Sequence, residues 1–156
     1  MCIRDRSVDD AVKALTGDHC RPVDAVRMDH EGGTMWSINL VGLGFAAKAG
    51  ELTNRRFKRL GALGYIAAVV VELARLAPQN VRYRVDEGEW VEEALLMLSW
   101  CNSRYTGGAM LMAPDASIDD GKADLIRLLP MSRPAFLTAF PKIFKGTHTS
   151  LSLIHI

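Results

Sequence analysis

Three turn signals divide the sequence, and each lies between runs of residues that favour strands. They are Glu31-Gly32-Gly33, Asp86-Glu87-Gly88 and Asp119-Asp120-Gly121. Asp and Gly tolerate the positive φ values of tight hairpins, so such a turn between two strand-forming runs predicts an antiparallel pair. This order favours an antiparallel, mostly β domain over a doubly wound parallel sheet.

The strands predicted around these turns alternate or are rich in strand formers. Gly42-Leu43-Gly44 is expected to end the second strand, and the last two strands are expected to pair across Asp119-Asp120-Gly121. The predicted strands are 21–27, 34–41, 81–85, 90–100, 110–113 and 125–129.

Helical spacing marks three further segments. Apolar residues recur on one side of 65–76, and Pro78 stops that helix. A shorter helix is predicted over 8–15, and Ser132 is the expected N-cap of a third, with Pro134 in its first turn. The predicted fold class is mostly β (α+β), an antiparallel β-sandwich-like domain with inserted helices.

The two ends of the chain carry related nucleotide information. Residues 1–6 back-translate to a short DNA word whose reverse complement encodes Leu-Ser-Leu-Ile-His-Ile, the sequence of residues 151–156. We therefore expect 1–6 and 151–156 to be artificial, adapter-derived segments. Residues 7–150 are then expected to be one domain, incomplete at both ends.

Composition excludes two classes of function. The chain has 19 basic and 18 acidic residues, so it lacks the basic footprint of a nucleic-acid-binding protein. Its longest apolar stretch, 62–71, is far below the roughly 20 residues that a membrane-spanning helix needs. Two cysteines within 7–150 are too few for a disulfide framework, which favours a reducing compartment and predicts a cytoplasmic protein.

A cluster of carboxylates at the third turn is a candidate metal site. Asp115, Asp119 and Asp120 lie within six residues, and Mg²⁺ prefers oxygen ligands and takes only one or two carboxylates from protein. The same residues also suit a plain hairpin turn, since Asp-Gly is a common turn pair. Spacing by itself leaves both interpretations open.

Four motifs in order resemble the second domain of the diacylglycerol kinase and sphingosine kinase-like lipid kinases. Two of them are Asn39 to Phe45, of the form N-x-x-G-x-G-F, and the start of the predicted long helix at 61–65. The longest carries Asn102, Gly107-Gly108, Pro114, Ala116 and Asp120-Gly121, and the last is Gly146-Thr147-His148.

This resemblance implies a two-domain enzyme that transfers the γ-phosphate of ATP to the hydroxyl of a membrane lipid. It implies a magnesium site formed by Asp115, the carbonyl of Ile118 and Asp120, with Asp119 as the alternative ligand. The nucleotide-binding domain and the catalytic base are expected outside this sequence, so we assign no catalytic residue here and expect the fragment to be inactive.

The resemblance also places a cleft for nucleotide and lipid headgroup near Asn102, Gly107 and Gly108. The alternative is that Asn102 ends a strand and the glycines permit a bulge. His148 is expected to be structural.

Several apolar side chains are candidates for the walls of a lipid groove, although core packing is the default for such residues. They are Met35, Trp36, Trp90, Met97, Trp100, Met110, Met112, Phe136, Phe140 and Phe144, together with the apolar helix Tyr65 to Leu76. The basic run 55–59 suits anionic headgroups or a solvated helix face.

The predicted function is therefore part of a lipid kinase that acts on a diacylglycerol or sphingoid hydroxyl, peripheral at the membrane. Its partners are ATP, the lipid and the missing N-terminal domain, and a homodimer is kept open. The alternative is a non-catalytic lipid- or metal-binding β domain.

Overall fold

A computed structural model of the chain describes residues 7–17, 20–57, 62–107, 109–151 and 154–155. In these ranges the strands are β1 Val26–His30, β2 Gly33–Ser37, β3 Leu40–Gly44, β4 Gln79–Tyr83, β5 Val91–Leu95, β6 Met97–Cys101, β7 Tyr105–Thr106, β8 Met110–Leu111, β9 Asp124–Leu128 and β10 Ile154–His155. The α-helices are α1 Val8–Thr16, α2 Phe45–Leu52, α3 Ala62–Leu73 and α4 Arg133–Ala139. A π-helical turn, Thr53–Phe57, follows α2, and two 3₁₀ helices, Phe140–Lys145 and Thr147–Ser150, follow α4.

The central sheet has four antiparallel strands in the order β10-β9-β6-β3. Ser99 of β6 lies opposite Gly42 of β3 on one side and Ile126 of β9 on the other. β10 falls in the segment that we expect to be adapter-derived, and that expectation stays a prediction. Two hairpins, β1-β2 and β4-β5, and a short pair, β7-β8, complete the sheets described.

Side chains alternate between the two faces of β6 and β9, as a pleated strand requires. Met97, Cys101 and Ile126 face the helices and belong to the larger apolar cluster, which includes Phe45 and Phe136. On the opposite face, Leu98 packs with Tyr83 and Leu95 of the β4-β5 hairpin. The central sheet is thus covered by helices on one face and by a hairpin on the other, which confirms the predicted β-sandwich-like class.

A single residue between β5 and β6 corrects the predicted long strand 90–100. Leu96 separates the two, since β5 pairs with β4 whereas β6 pairs with β3 and β9. The Leu96 N–H donates to the Leu128 carbonyl at 2.8 Å, and its own carbonyl accepts from the Phe45 N–H at 2.9 Å. Gly44 has φ +78° there, and a Cβ on it would lie 2.5 Å from the Leu96 carbonyl oxygen. Only glycine fits this approach.

The predicted strand 34–41 is also divided. β2 ends at Ser37 and pairs with β1 across the expected turn, while β3 begins at Leu40 in the central sheet. Gly42-Leu43-Gly44 therefore lies inside β3 and does not end the preceding strand. Strand-forming residues continue through the break, so the composition of this run does not mark the change of pairing partner.

The predicted hairpin across Asp119-Asp120-Gly121 is wrong. β8 pairs with β7, whereas β9 pairs with β6 and β10, so the segment between β8 and β9 is a loop that crosses between sheets. The acidic cluster is therefore not a hairpin turn between two paired strands.

The predicted helices are present. The long helix runs over Ala62–Leu73 and not 65–76, because the chain turns at Ala74 and Arg75 before Pro78. Ser132 caps α4 as predicted, since its hydroxyl accepts from the Ala135 N–H at 3.3 Å. In the part of the chain described, no helix is long and apolar enough to cross a membrane.

Candidate functional site

Three carboxylates of the loop between β8 and β9 lie close enough to influence one another. The pKa of Asp124, the first residue of β9, is raised mainly by burial and further by the charges of Asp120 and Asp115. Lys122 opposes this effect in part. The loop therefore gathers negative charge that its own lysine does not neutralise.

Asp24 fastens this loop from a segment almost a hundred residues away. Its backbone N–H donates to the Ile118 carbonyl at 2.7 Å, and its carboxylate Oδ2 accepts from the Gly121 N–H at 2.7 Å. The Ile118 carbonyl keeps one lone pair after this hydrogen bond. The loop is thus held on either side of Asp119 and Asp120.

Two acidic side chains of the loop accept hydrogen bonds from within the loop. Asp119 accepts from the Ser117 hydroxyl at 2.7 Å, and Asp120 Oδ1 accepts from the Lys122 N–H at 3.0 Å. Each carboxylate has further acceptor sites, so these bonds leave Asp120 able to bind a cation.

The residues described contain no group of three His, Cys, Asp or Glu side chains arranged to hold a metal ion. Mg²⁺ takes only one or two carboxylates and completes its shell with water, so this test is stricter than such a site requires. The assignment of Asp115, Ile118 and Asp120 as magnesium ligands stays a prediction.

Asn102 holds the segment of Asp24, the residue that fastens the loop. Its side chain is fully buried, and Nδ2 donates to the carbonyls of Asp24 at 2.8 Å and Ile38 at 3.1 Å. Both amide protons are therefore used within the protein. Gly107 adopts φ +57° between β7 and β8, and Gly108 lies outside the described residues. The predicted cleft contacts of these three residues stay predictions.

A cavity of about 50 Å³ lies between the central sheet and the helices. Its walls are apolar apart from one histidine and include four methionines, whose flexible thioethers adapt to irregular shapes. The lining residues are Phe45, Ala46, Met97, Met110, Met112, Ile126, Leu128, Met131, Phe136, Ala139, Phe140, Ile143 and His148.

His148 is the polar residue in this wall. Its Nε2 lies 2.9 Å from the Met112 carbonyl, and because a carbonyl only accepts, Nε2 carries the proton. Nδ1 is buried and has no hydrogen-bond partner among the described residues. Burial lowers the pKa of His148, with the Met112 carbonyl opposing that shift, so the neutral ring is favoured. The structure supports the expectation that His148 is structural and adds that it borders the cavity.

One short segment connects the cavity with the acidic loop. Met110 and Met112 line the cavity, and Asp115 begins the acidic run three residues later. Gly146, at φ +68°, packs against Pro114 of this segment, and a Cβ on it would lie 3.0 Å from Pro114 Cγ. An apolar chamber and a polar loop therefore share one stretch of backbone.

The structure brings some predicted residues together and leaves others apart. Met97, Met110, Met112, Phe136 and Phe140 line the cavity and pack in or against the core cluster, and their contact with a lipid stays a prediction. Of the other candidates, Met35, Trp36, Trp90, Trp100 and Phe144 do not line it.

Sequence reasoning missed Asp24, Asp124 and Met131. Asp124 could have been found, because it immediately precedes a predicted strand next to an acidic turn. The bond from Asp24 to Gly121 joins residues 97 apart, and no local pattern announces it.

An antiparallel sheet with a hairpin on one face and helices over a cavity on the other defines a β-sandwich-like domain. The family model described as the YegS C-terminal NAD kinase beta sandwich-like domain matches residues 39–156, and the chain belongs to this family.

Curated relatives of the chain carry lipid kinase names. The "Diacylglycerol kinase" of Mycobacterium tuberculosis strain H37Rv is 32% identical over 123 residues, which are 79% of this chain and 40% of that protein. The "Probable lipid kinase YegS-like" protein of Xanthomonas euvesicatoria pv. vesicatoria is 33% identical over 137 residues, 87% of this chain and 44% of that protein. The chain thus spans less than half the length of these relatives.

Solved structures share the fold. A crystal structure of a diacylglycerol kinase from Bacillus anthracis strain Sterne matches with a TM-score of 0.54 at 21% identity, covering 89% of this chain and 42% of that one. Another crystal structure from the same strain matches with a TM-score of 0.61 at 20% identity, covering 94% of this chain and 46% of that one.

Proposed function

We propose that this chain is the lipid-binding part of an ATP-dependent lipid kinase, and that its cavity holds an acyl chain of the lipid whose hydroxyl is phosphorylated. The methionine-lined cavity carries the proposal. Its walls offer almost no polar group, so they favour a hydrocarbon over any polar ligand. The names of the relatives support the same class of substrate.

The acidic loop supports the proposal from the polar side. A lipid has an apolar chain and a polar head, and the stretch from Met110 to Asp115 borders an apolar chamber at one end and carboxylates at the other. Diacylglycerol and a sphingoid base both meet this description. We propose diacylglycerol as the first substrate to test.

Magnesium is the cation that we propose for the loop, bound by Asp115, the Ile118 carbonyl and Asp120, with Asp119 as the alternative. The residues fit a divalent cation, since the charges of Asp120 and Asp115 add to the effect of burial in raising the pKa of Asp124, and a cation would relieve that repulsion. When bound, Mg²⁺ supplies positive charge near phosphate oxygens. Asp24 and Asn102 keep the loop in place for it.

The phosphoryl donor is proposed to be ATP, bound by a part of the enzyme outside this sequence. In the reaction, the lipid hydroxyl oxygen bonds to the γ-phosphorus, the bond from that phosphorus to ADP breaks, and the hydroxyl proton passes to a base. Among the residues of this chain we assign no such base. We therefore expect no ATP turnover from the chain by itself.

Binding of dioctanoylglycerol, a short-chain diacylglycerol, tests the cavity assignment. Ala139→Leu adds methyl groups inside the cavity. The control is Thr138→Leu, because Thr138 is the preceding residue of α4 and its side chain is exposed. We expect Ala139→Leu to weaken binding by at least about ten-fold, because the added methyl groups would occupy space in which the acyl chain is buried in the wild type. Titration calorimetry measures this. Equal affinity in wild type and Ala139→Leu would refute the acyl-chain site.

Thermal unfolding with and without MgCl₂ tests the cation site. Wild type should gain stability from the ion, and Asp115→Asn and Asp120→Asn should lose that gain. Asp86→Asn, in the β4-β5 turn, is the control and should keep it. If Asp119→Asn alone abolishes the gain, Asp119 replaces Asp120 as ligand, and no gain in wild type removes magnesium from the proposal.

A further inference from the structure

The helical segment that covers the cavity has a second, outward surface. We define the basic-apolar face as Leu137 of α4 together with Lys142, Phe144 and Lys145 of the following 3₁₀ helix. All four side chains are exposed. On the inner side of the same segment, Phe136, Phe140 and Ile143 line the cavity.

We propose that the basic-apolar face is the surface by which the protein docks on an anionic membrane. This inference rests on the proposed function, because it assigns the route by which a lipid reaches the cavity. It adds a location, a partner and a charge preference that the function does not contain.

The distribution of charge supports an anionic partner. Asp124 is the last acidic residue of the sequence, and the 125–156 stretch contains Arg127, Arg133, Lys142 and Lys145 without any carboxylate side chain. No acidic side chain of the described residues pairs with either lysine of the face. Their charge is therefore available to a partner.

The arrangement of the side chains supports a membrane over an acidic protein. Lys142 and Lys145 are three residues apart in a 3₁₀ helix, so they lie on the same side of it. In the same helical segment, Leu137 and Phe144 are also exposed, at 54% and 42%. Apolar side chains that enter the acyl boundary, next to lysines that reach the headgroups, are typical of interfacial helices.

An aromatic path connects this face with the cavity. The rings of Phe144 and Phe140 pack edge to face with their centroids 5.9 Å apart. The ring of Phe140 stacks on that of Phe136 with a centroid distance of 5.8 Å. The ring centroid of Phe136 in turn lies 4.8 Å from that of Phe45, and both residues are buried. Docking here places the bilayer on the outer side of the wall whose inner side would hold the acyl chain.

Sedimentation with vesicles tests the charge component, using phosphatidylcholine vesicles and vesicles that also contain phosphatidylglycerol. We expect the chain to prefer the anionic vesicles. Each lysine near such a surface contributes about five-fold, so Lys142→Gln/Lys145→Gln should bind them about 25-fold more weakly. The control pair Arg55→Gln/Arg56→Gln, in the π-helical turn after α2, should stay near wild type. No preference in wild type, no loss in the lysine pair, or an equal loss in the arginine pair would overturn the proposal.

A second pair of variants tests the apolar component. Leu137 is 54% exposed on α4 and Val70 is 57% exposed on α3. The two serine substitutions therefore remove apolar side chains of similar exposure from two different helices. Leu137→Ser should weaken vesicle binding by about ten-fold at low and at high salt, and Val70→Ser should not. Unfolding curves confirm that both variants fold. Equal behaviour of the two would contradict insertion of Leu137.

Failure of this inference is distinguishable from failure of the proposed function. The lysine and leucine variants should bind monomeric dioctanoylglycerol as wild type does, since none of the substituted side chains lines the cavity. If the chain binds vesicles but not dioctanoylglycerol, the docking face is supported and the acyl-chain site is refuted. If it binds dioctanoylglycerol but not vesicles, the acyl-chain site is supported and the docking face is refuted.

Discussion

The two faces of the central sheet use alternate residues of the same strands, yet they are filled differently. The helix-covered face of β6 and β9 meets methionines and phenylalanines and leaves a cavity. The hairpin-covered face is closed by a smaller cluster around Tyr83, Leu95 and Leu98. Methionine-rich, incompletely filled packing suits a changing occupant, whereas a tight cluster fixes one structure. The comparison separates the face that we propose to bind the lipid from a structural face.

A polar network secures the structural face. Arg127 Nη1 donates to Tyr83 Oη and to Glu93 Oε1, each at 3.1 Å, and the Tyr83 hydroxyl donates to Glu93 at 2.6 Å. Burial, followed by the bond to Glu93, raises the pKa of Tyr83, so its proton stays in place. These bonds connect the hairpin to β9 in one register.

Truncation of one core residue on each face gives the largest expected effects. Leu98 and Met110 are both almost fully buried, but only Met110 borders the cavity. Leu98→Ala should lower the free energy of unfolding by about 4 kcal/mol and Met110→Ala by about 2 kcal/mol, within the range for such truncations. The smaller loss follows because Met110 already lacks neighbours on one side. Urea unfolding measures both, and equal losses would break the distinction between the faces.

Loss of the network cation should have a smaller effect. Arg127→Met removes two charge-assisted hydrogen bonds from a pair whose side chains are 32% and 23% exposed, and should cost about 1.5 kcal/mol. The matched control is Arg55→Met, which breaks the ion pair with Glu51 at 76% and 66% exposure and should cost less than about 0.5 kcal/mol. The same urea titration applies. A control as costly as Arg127→Met would show that burial on this face adds nothing.

Acidification should have the smallest effect on the free energy of unfolding. His148 at the cavity and Asp124 beside the acidic loop should contribute to that effect with opposite signs. The pKa of His148 is lowered from 6.5, so below pH 6.5 the unfolded chain binds its proton first, and stability falls as pH falls toward the folded pKa. The pKa of Asp124 is raised from 3.8, so the folded chain binds that proton first, and stability rises as pH falls through the folded pKa toward 3.8.

Two variants separate these contributions. His148→Gln should remove the loss of stability just below pH 6.5, and Asp124→Asn should stabilise the fold at neutral pH and remove the gain near pH 4. The measurement is the midpoint of urea unfolding at several pH values, without divalent cations. A pH profile unchanged by both substitutions would contradict the burial of these two groups.

Local chemistry was sufficient to predict much of the fold. The hairpins β1-β2 and β4-β5 form at glycine-containing turns, and Ser132 caps α4, because these choices depend on residues only a few positions apart. Pairing partners depend on distant residues. The break at Leu96 and the pairing of β8 with β7 were therefore not predictable from alternation.

The candidate site shows the same division. The convergence of Asp115 and Asp120 on one cation, expected because both lie in one short loop, stays a prediction. The cavity was predicted only as a set of apolar residues, since the void depends on how α4 packs over β9. The tether from Asp24 and the position of His148 Nδ1, which has no hydrogen-bond partner in the described part of the chain, result from tertiary contacts that a single sequence does not display.

The bend at Leu96 sets a length constraint on the chain. Its N–H is bonded to β9 and its carbonyl to the first residue of α2, so both polar groups of one residue are committed to different elements. Deleting or adding a residue between β5 and β6 would shift β6 by one position and turn Met97 and Cys101 toward the hairpin and Leu98 toward the cavity. Length variation among related proteins should therefore fall at exposed tips such as Asp86 to Gly88, where no strand register depends on it.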